Sequence, residues 1–292
     1  MRFSTALRDY TRRRIEKIGN VDIVVGVPSY NNDNTIAQVI KIAAKGIEQY
    51  FKEAKALIIV ADGGSTDDTR ENAKEEQLAP FVEKIVTIYR GIPGKGSALR
   101  SVFEAAYFLN AKACIVCDSD IRSINTMWVK NLVTPVMNDG YDFVTPLYIR
   151  HKYDGTITNN IVYQLTRSLY GKRIRQPIGG DFGFSRRILK YYLEQDVWET
   201  DIAKYGIDIW LTTSAITQKF NICQTRLGVK IHDSKDPSES LGPMFRQVMM
   251  TMFTLMEKHH NIWRKIKGSE PVDITGEASD QEPESITVNY NR

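Results

Sequence analysis

Cysteines and long apolar runs are both scarce in this sequence, and each scarcity excludes a class of protein. Three cysteines in 292 residues cannot build a disulfide framework, so we expect a cytoplasmic protein. In a strand Cys114 and Cys117 lie on opposite faces about 10 Å apart, too far for a disulfide. No apolar stretch approaches the roughly 20 residues that span a bilayer. The first residues also lack the apolar core of a signal peptide, so no integral membrane segment is expected.

The sequence also lacks a stripe of basic residues interleaved with aromatic residues, which argues against a nucleic-acid partner. The net charge of +4 is unevenly spread. Residues 1–20 form a basic N-terminal arm, and residues 268–292 form an acidic tail that we expect to be flexible. The intervening residues 21–267 are long enough for a single large domain.

Apolar, β-branched runs alternate with helical patterns in the first 120 residues. The predicted strands are 21–27, 56–61, 84–89 and 111–117. This alternation predicts an α/β fold, with a mostly parallel sheet covered by helices on both faces. In such sheets ligands bind beyond the carboxyl ends of the strands, where several polar loops of this chain would meet.

Two carboxylates, Asp118 and Asp120, follow the fourth predicted strand. Alternate residues of a strand point the same way, so the two side chains can face one bound object. Mg²⁺ or Mn²⁺ carrying a diphosphate suits them, because hard cations prefer oxygen ligands. The alternative is ordinary loop or helix-cap chemistry.

Further candidates each have a functional and a structural interpretation. Lys95, within Gly94-Lys-Gly96, opens a helix and can neutralise phosphate, or it is a surface lysine. His232 follows a strand and is either a Mn²⁺ ligand or a structural histidine. Asp208 begins a helix and either faces a sugar or stabilises the helix dipole. Glycines before Asp181 indicate a bulge or the close approach of a ligand.

The second half of the chain predicts further elements. These are a strand over 141–146, a helix over 158–170, a glycine-rich turn and strand over 176–185, a helix over 207–218 and a strand over 221–231. A long helix follows, with Phe245, Val248, Met249, Met252, Phe253 and Met256 on one face. We interpret this Met and Phe stripe as core.

Seven motifs across residues 21–256 resemble the GT-A glycosyltransferases. They are Val27-Pro-Ser-Tyr-Asn31, Asp62-Gly-Gly-Ser-Thr-Asp-Asp-Thr69, Gly94-Lys-Gly96, Asp118-Ser-Asp120, Gln176-Pro-Ile-Gly-Gly-Asp181, Tyr205-Gly-Ile-Asp208 and Gly228-Val-Lys-Ile-His232. The first, second and fourth motifs occur in very many such enzymes. The last three are more specific to the retaining branch that includes glucosyl-3-phosphoglycerate, mannosylglycerate and glucosylglycerate synthases.

The resemblance implies a GT-A fold, with residues 21–120 as the half that binds the nucleotide sugar and residues 121–267 as the half that binds the acceptor. It implies this donor-binding set: Pro28, Tyr30, Asn31, Asp33, Asp62, Gly63, Lys95, Asp118, Ser119 and Gly180. It also implies that Asp120 and His232 bind Mg²⁺ or Mn²⁺ directly, with Asp118 as their partner.

On the acceptor side the resemblance gives roles to Asp208, Asp181 and Arg150. Asp208 matches an acidic position that faces the sugar, and Asp181 stands where relatives carry the longer glutamate. Arg150 and Thr158 resemble the pair that holds glycerate in mannosylglycerate synthases.

Enzymes that use phosphoglycerate carry Gly-Arg-x-Thr, whereas this chain reads Gly155-Thr-Ile-Thr158, and Ser234 stands where they tend to have Asn. The missing guanidinium would remove a strong phosphate contact. The sequence therefore favours glycerate, or a similar small hydroxy acid, as the acceptor.

The resemblance implies that a hexose, glucose or mannose, moves from a UDP, GDP or ADP donor with retention at the anomeric carbon. One alternative is transfer to 3-phosphoglycerate, and another is an inverting GT-A enzyme acting on a polyprenyl phosphate or a polysaccharide. A third is a protein that binds nucleotide sugars without catalysis. A homodimer is expected, because dimers are common among the relatives.

Overall fold

The structure is a computed structural model that describes residues 4–152, 154–232, 241–277 and 282–283. Ser234 lies outside the described residues. The strands are β1 Ile23–Ser29, β2 Ala56–Asp62, β3 Val82–Ile88, β4 Ala113–Val116, β5 Phe143–Ile149, β6 Lys172–Arg173, β7 Phe182–Ser185, β8 Ile222–Val229, β9 Glu270–Pro271 and β10 Asp273–Thr275.

Helices follow most of the strands. They are α1 Asp9–Ile18, α2 Ile36–Tyr50, α3 Thr69–Glu75, α4 Lys95–Phe108, α5 Thr126–Met137, α6 Tyr163–Tyr170, α7 Arg186–Leu193, α8 Ile207–Thr217, α9 Gly242–Lys258 and α10 His260–Trp263. A π-helical turn, Thr158–Val162, leads into α6, and a 3₁₀ turn, Asp201–Ala203, precedes α8.

Eight strands form one sheet in the order β10-β8-β5-β7-β4-β1-β2-β3. Strand β7 is antiparallel to both of its neighbours, and the other pairs are parallel. The predicted α/β class with a mostly parallel sheet is therefore confirmed. The carboxyl ends of β1, β2, β4, β5 and β8 share one edge of the sheet, which we call the carboxyl edge.

Helices cover both faces of the sheet, and alternation along each strand supplies the core on either side. Cys114 packs in the cluster that contains Phe103 of α4, whereas Cys117 packs with Ile40 of α2 and Trp128 of α5. The two thiols are thus buried on opposite faces, as the strand pattern predicts.

The N-terminal arm is part of the domain over its described residues. Leu7 and Ile15 are buried, and the Arg8 Nε donates to the carbonyl of Ile88 at 2.7 Å. The basic residues lie on the outer side of α1 because the inner side covers β3 and α4.

The expectation of a flexible tail from residue 268 is wrong for residues 270–275. These residues form β9 and β10, and β10 pairs with the edge strand β8. Tyr141 donates to Asp273 at 2.8 Å, and Arg226 donates to the carbonyl of Gly276 at 3.0 Å. An unpaired edge strand offers free backbone groups, and this segment satisfies those of β8.

The interpretation of the α9 stripe as core is wrong in part. Val248, Met252 and Leu255 are buried, but Phe245 and Phe253 are 41% and 53% exposed. Met249 and Thr251 are buried as well, and the two phenylalanines lie to the side of this packed face or in the first turn. Among the described residues, no helix is both long enough and apolar enough to cross a bilayer.

Candidate active site

The loops after β1 and β2 fold onto one another at the carboxyl edge. Asp62 is fully buried, and its carboxylate accepts the backbone N–H groups of Gly64 and Ser65, both at 2.8 Å. The Asn31 N–H donates to the Ser65 Oγ at 2.9 Å, and the Thr66 N–H donates to the Asn31 Oδ1 at 2.9 Å. Asp62 and Asn31 therefore shape the loops.

Tyr30 is the exposed aromatic residue of this pair of loops, with 61% of its surface exposed. Its ring lies so close to Gly63 that a Cβ there would stand 3.2 Å from the Tyr30 Cδ2. Pro28 lies within β1 and is buried. The Asp33 N–H donates to Asp67 at 3.2 Å. A flat apolar ring beside a bare backbone is a suitable surface for a nucleobase.

A chain of alternating charges runs through the site. The Lys95 Nζ contacts the Asp118 Oδ1 at 2.7 Å and the Asp208 Oδ2 at 3.3 Å. The Lys230 Nζ contacts the Asp118 Oδ2 at 3.0 Å and the Asp181 Oδ2 at 2.7 Å. The predicted residues Lys95, Asp118, Asp181 and Asp208 thus come together, joined by Lys230.

The charged groups of this network shift the pKa values of Asp118 and Lys95 in opposite directions. Burial raises the pKa of Asp118, but the charges of Lys230 and Lys95 outweigh it and hold the pKa below its usual range. Burial lowers the pKa of Lys95, but Asp118 and Asp208 outweigh it and raise the pKa. The Asp118 carboxylate and the Lys95 ammonium are therefore held in their charged forms.

Asp208 differs from its neighbours because one of its oxygens is unused. The residue is 8% exposed, and its Oδ1 has no hydrogen-bond partner among the described residues. Burial raises the pKa of Asp208, and the contact with Lys95 only partly offsets this. A buried acceptor without a partner is costly, and a substrate hydroxyl would satisfy it.

Asp181 is fully buried, and both oxygens of its carboxylate have partners. The Asp181 Oδ1 accepts the backbone N–H of Asp118 at 2.8 Å, and the Oδ2 accepts from Lys230 and from the Tyr148 hydroxyl. The side chain therefore faces the protein interior. Its catalytic role, implied by the resemblance, stays a prediction, and the contacts favour a supporting one.

The candidate metal ligands lie on two neighbouring segments. Ile121, next to Asp120, forms a β-bridge with His232, and the Arg122 N–H donates to the carbonyl of Ile231 at 2.9 Å. A carboxylate and an imidazole suit Mn²⁺, and the carboxylate suits Mg²⁺. Within the ranges that the structure describes, no group of three or more His, Cys, Asp or Glu residues has metal-site geometry. The ammonium groups on both oxygens of Asp118 favour Asp120 as the direct ligand.

Arg150 lies beside His232. The Arg150 Nη2 is 3.1 Å from the His232 Nε2, and the Arg150 Nε donates to Asp154 at 2.8 Å. Guanidinium only donates, so the His232 Nε2 accepts in this arrangement. A Cβ on Gly155 would stand 3.2 Å from the Arg150 Nη1. Thr158, three residues after Gly155, opens the π-helical turn and is buried.

Three residues of the site were missed in the sequence: Lys230, Tyr148 and Asp154. Lys230 lies within the quoted motif Gly228-Val-Lys-Ile-His232, and a lysine in a buried strand was a signal for it. Tyr148 and Asp154 carry no such signal. The Ser119 Oγ donates to the Asn32 Oδ1 at 2.6 Å, which ties the Asp118–Asp120 loop to the loop after β1.

A family model described as "Glycosyl transferase family 2" matches residues 24–196. The glucosyl-3-phosphoglycerate synthase of Petrotoga mobilis is 26% identical over 266 residues, which are 84% of this chain and 77% of the relative. The glycosyltransferase AglJ of Haloferax volcanii is 29% identical over 56% of this chain and 50% of the relative.

A crystal structure of glucosyl-3-phosphoglycerate synthase from Mycobacterium tuberculosis is similar to this chain. It contains Mn²⁺, UDP and phosphoglyceric acid. The TM-score is 0.62 at 25% identity, and the match covers 82% of this chain and 81% of the other.

Proposed function

This chain belongs to glycosyl transferase family 2, and from that premise we propose that it transfers a hexose from a nucleotide-diphospho-sugar to a small hydroxy acid. The family match makes it a glycosyltransferase, and the structural similarity confirms the predicted GT-A fold. The observation that carries the proposal is the ion-paired Lys95–Asp118–Asp208 group, in which the buried Asp208 has an Oδ1 without a partner among the described residues.

On the donor side, Lys95 meets the diphosphate. Two of its three ammonium donors are directed to Asp118 and Asp208, and the side chain keeps 15% exposure. Its charge is fixed by those two carboxylates, so it can neutralise a leaving diphosphate. The exposed Tyr30 ring and Gly63 form the surface for the base, and the Asp208 Oδ1 accepts a hydroxyl of the sugar.

Asp120 and His232 lie on bridged segments and would hold a divalent cation between them, once the Arg150 Nη2 moves off the single acceptor nitrogen of the imidazole. When bound, the cation supplies Lewis-acid stabilisation of the diphosphate. Mn²⁺ and UDP occupy the similar crystal structure, which supports a UDP-sugar and Mn²⁺ as the first combination to test.

On the acceptor side, Arg150 binds the carboxylate of the acid and Thr158 orients it. The Arg150 guanidinium already lies against Asp154 and His232, so it stands next to the proposed cation. A guanidinium binds a carboxylate in a two-pronged geometry that fixes orientation as well as position. The acceptor hydroxyl is thereby held near the anomeric carbon, and positioning supplies much of the rate.

The reaction breaks the bond between the anomeric carbon and the diphosphate oxygen and forms a bond to the acceptor oxygen. The acceptor proton passes to the leaving diphosphate oxygen, so atoms and charges balance. We propose attack from the face that the diphosphate leaves, with retention of configuration. Asp181, which is fully buried and already bonded through both oxygens, is not assigned as a nucleophile on the opposite face.

A second candidate acceptor is 3-phosphoglycerate, because the relative from Petrotoga mobilis is a glucosyl-3-phosphoglycerate synthase and the similar crystal structure holds phosphoglyceric acid. The residues favour glycerate instead. Gly155 and Thr158 frame a segment without the arginine of the phosphate-binding pattern, and Arg150 shares its charge with Asp154.

The deciding experiment is a matrix of UDP-, GDP- and ADP-sugars against glycerate and 3-phosphoglycerate, with MnCl₂, with MgCl₂ and with a chelator. We expect transfer to glycerate that disappears with the chelator. Transfer to 3-phosphoglycerate alone would reverse the choice of acceptor, and no transfer in any cell of the matrix would refute the proposal. NMR of the product decides between retention and inversion.

The remaining predictions are proposals of their own. We propose a donor half over residues 21–120, an acceptor half from residue 121, a homodimer and a cytoplasmic location. Sedimentation velocity of the full chain tests the dimer, and fractionation of expressing cells tests the location.

A further inference from the structure

Lys230 is a buried lysine that the proposed mechanism does not use. It leaves the end of β8, and its side chain is 5% exposed. The Nζ donates to the Asp118 Oδ2 at 3.0 Å, to the Asp181 Oδ2 at 2.7 Å and to the carbonyl of Gly179 at 3.0 Å. An ammonium group has three donors. All three are engaged within the protein, so Lys230 has none left for a substrate.

Lys95 shows the contrast. It contacts two carboxylates, and its exposure is three times that of Lys230. The two lysines thus hold the two oxygens of Asp118 from opposite sides. Lys95 is placed to meet the donor, whereas Lys230 lies behind Asp118.

Through its other two contacts Lys230 fixes the glycine turn at residues 179–181. A Cβ on Gly180 would stand 2.1 Å from the Asp118 Oδ2, and the φ of Gly180 is +90°, so the turn touches the carboxylate. Lys230 bonds both ends of this turn, the Gly179 carbonyl and the Asp181 carboxylate. The turn cannot move away from Asp118 while these bonds hold.

Tyr148 supports the same arrangement from β5. Its hydroxyl donates to the Asp181 Oδ2, and the Lys230 Nζ lies 5.0 Å from the centre of its ring. The aromatic face adds a favourable environment for the ammonium group. Lys230, Tyr148 and Asp181 therefore form one interlocked support beneath Asp118.

Two carboxylates, Asp118 and Asp181, meet beneath the place where a diphosphate would bind. Without a cation between them they would repel each other and the diphosphate. We propose that Lys230 is a positioning residue that holds Asp118 and the 179–181 turn in one arrangement and offsets their charge, so that a diphosphate can bind beside them. This inference rests on the proposed function for the identity of the ligand.

The test compares the binding of UDP and uridine by calorimetry with MnCl₂, in the full chain and in Lys230→Met. Methionine keeps the length of the side chain and removes the charge. We expect UDP to bind roughly tenfold or more weakly, on the scale of one lost charge contact at intermediate dielectric. Uridine has no phosphate, so its affinity should stay within about threefold. Lys230→Arg, which keeps the charge, should restore most of the UDP affinity.

Lys84→Met is the matched control. Lys84 is a half-buried lysine on β3, away from the charged residues around Asp118. Its Nζ donates to the backbone carbonyl of Lys74 at 2.7 Å. Its removal should leave UDP binding unchanged. Should Lys230→Met fail to fold, Tyr148→Phe removes one hydroxyl from the same Asp181 oxygen and should weaken the binding of UDP more than that of uridine, and equal effects on the two ligands would refute the inference.

Each outcome separates this inference from the proposed function. If UDP binds folded Lys230→Met as tightly as the wild type, the inference is refuted even where the wild type transfers sugar. If the wild type binds UDP but transfers nothing, the proposed function fails and the comparison of UDP with uridine still decides the inference. If UDP, GDP and ADP all fail to bind the wild type, both are refuted.

Discussion

The edge of the sheet opposite the carboxyl edge, which we call the amino edge, carries Asp22 and Asp142, and both carboxylate oxygens of each have a partner. At the carboxyl edge, by contrast, the Oδ1 of Asp208 has no partner among the described residues. Asp22 contacts Lys112 at 2.8 Å and the Lys55 N–H at 3.0 Å. Asp142 accepts from the Asn221 N–H at 3.0 Å and from other donors.

The difference separates a carboxylate whose bonds are complete within the fold from one that keeps an unpartnered oxygen among the described residues. Asp142 is 4% exposed and ties the start of β5 to Ser185 and Arg187, so its bonds are complete without any substrate. Asp208 is also buried, yet its bonding is incomplete. Burial alone therefore does not mark a functional acid, and the unpartnered oxygen of Asp208 is what distinguishes it from Asp142.

The largest expected effect is at the carboxyl edge. Asp120→Asn should lower kcat by roughly two to three orders of magnitude, the scale of losing one contact that stabilises developing charge. The melting temperature should hold, because asparagine has nearly the size and shape of aspartate and Asp120 is only half-buried. Rates at saturating donor and acceptor with MnCl₂ measure kcat, and thermal unfolding measures the melting temperature.

Asp22→Asn, at the amino edge, is the control for that comparison. It should keep wild-type turnover, because the Asp22 carboxylate contacts Lys112 and the Lys55 N–H at the other end of the sheet. Equal losses of kcat in the two variants would break the distinction between the edges.

The next largest effect is on stability at the amino edge. Asp142→Ala leaves the Ser185 hydroxyl and the Asn221 N–H without their acceptor, which should cost about 1–3 kcal/mol of the free energy of unfolding. Turnover of the folded enzyme should be unchanged. Urea unfolding and steady-state kinetics measure the two quantities, and a fall in kcat without a fall in stability would contradict the assignment.

Arg150→Lys should raise the KM for the acceptor about tenfold, because lysine cannot offer a carboxylate two parallel donors. The KM for the donor should change little. Initial rates with each substrate varied in turn separate the two constants, and a change confined to the donor would move Arg150 out of the acceptor site.

The smallest effect is the contribution of Asp142 to acid stability. Burial raises its pKa, but hydrogen bonds from Arg187 and Ser185 outweigh this and lower the pKa from 3.8. The folded protein then binds fewer protons than the unfolded chain below this value. The stabilisation is fully present above the unfolded pKa and is lost as the pH falls through the folded pKa.

We therefore expect the stability gap between the wild type and Asp142→Asn to stay constant above about pH 5 and to shrink as the pH falls below about 4. Urea midpoints at a series of pH values measure it. A gap that widens on acidification would mean that the folded pKa of Asp142 is raised instead.

The sequence was sufficient for the sheet class and for the loops that follow its strands, because alternation and motif order are local signals. It was not sufficient for the partners of Asp118. Lys230 is 112 residues away in the chain, and its contact arises only because β8 pairs with β5 on the far side of β7. The bridge from Ile121 to His232 is similarly a product of the fold.

The central position of β7 has a consequence for the order of folding. Strands β1 to β4 come from one stretch of sequence, whereas β7 must insert between β4 and β5 by pairing residue 184 with residues 114 and 143. Such distant pairings close large loops and form late. Asp181 immediately precedes β7. In pulse-labelling hydrogen exchange we therefore expect the amides of the donor loops to be protected before those of residues 179–185. Competence to bind a donor would then arise when β7 pairs with its neighbours.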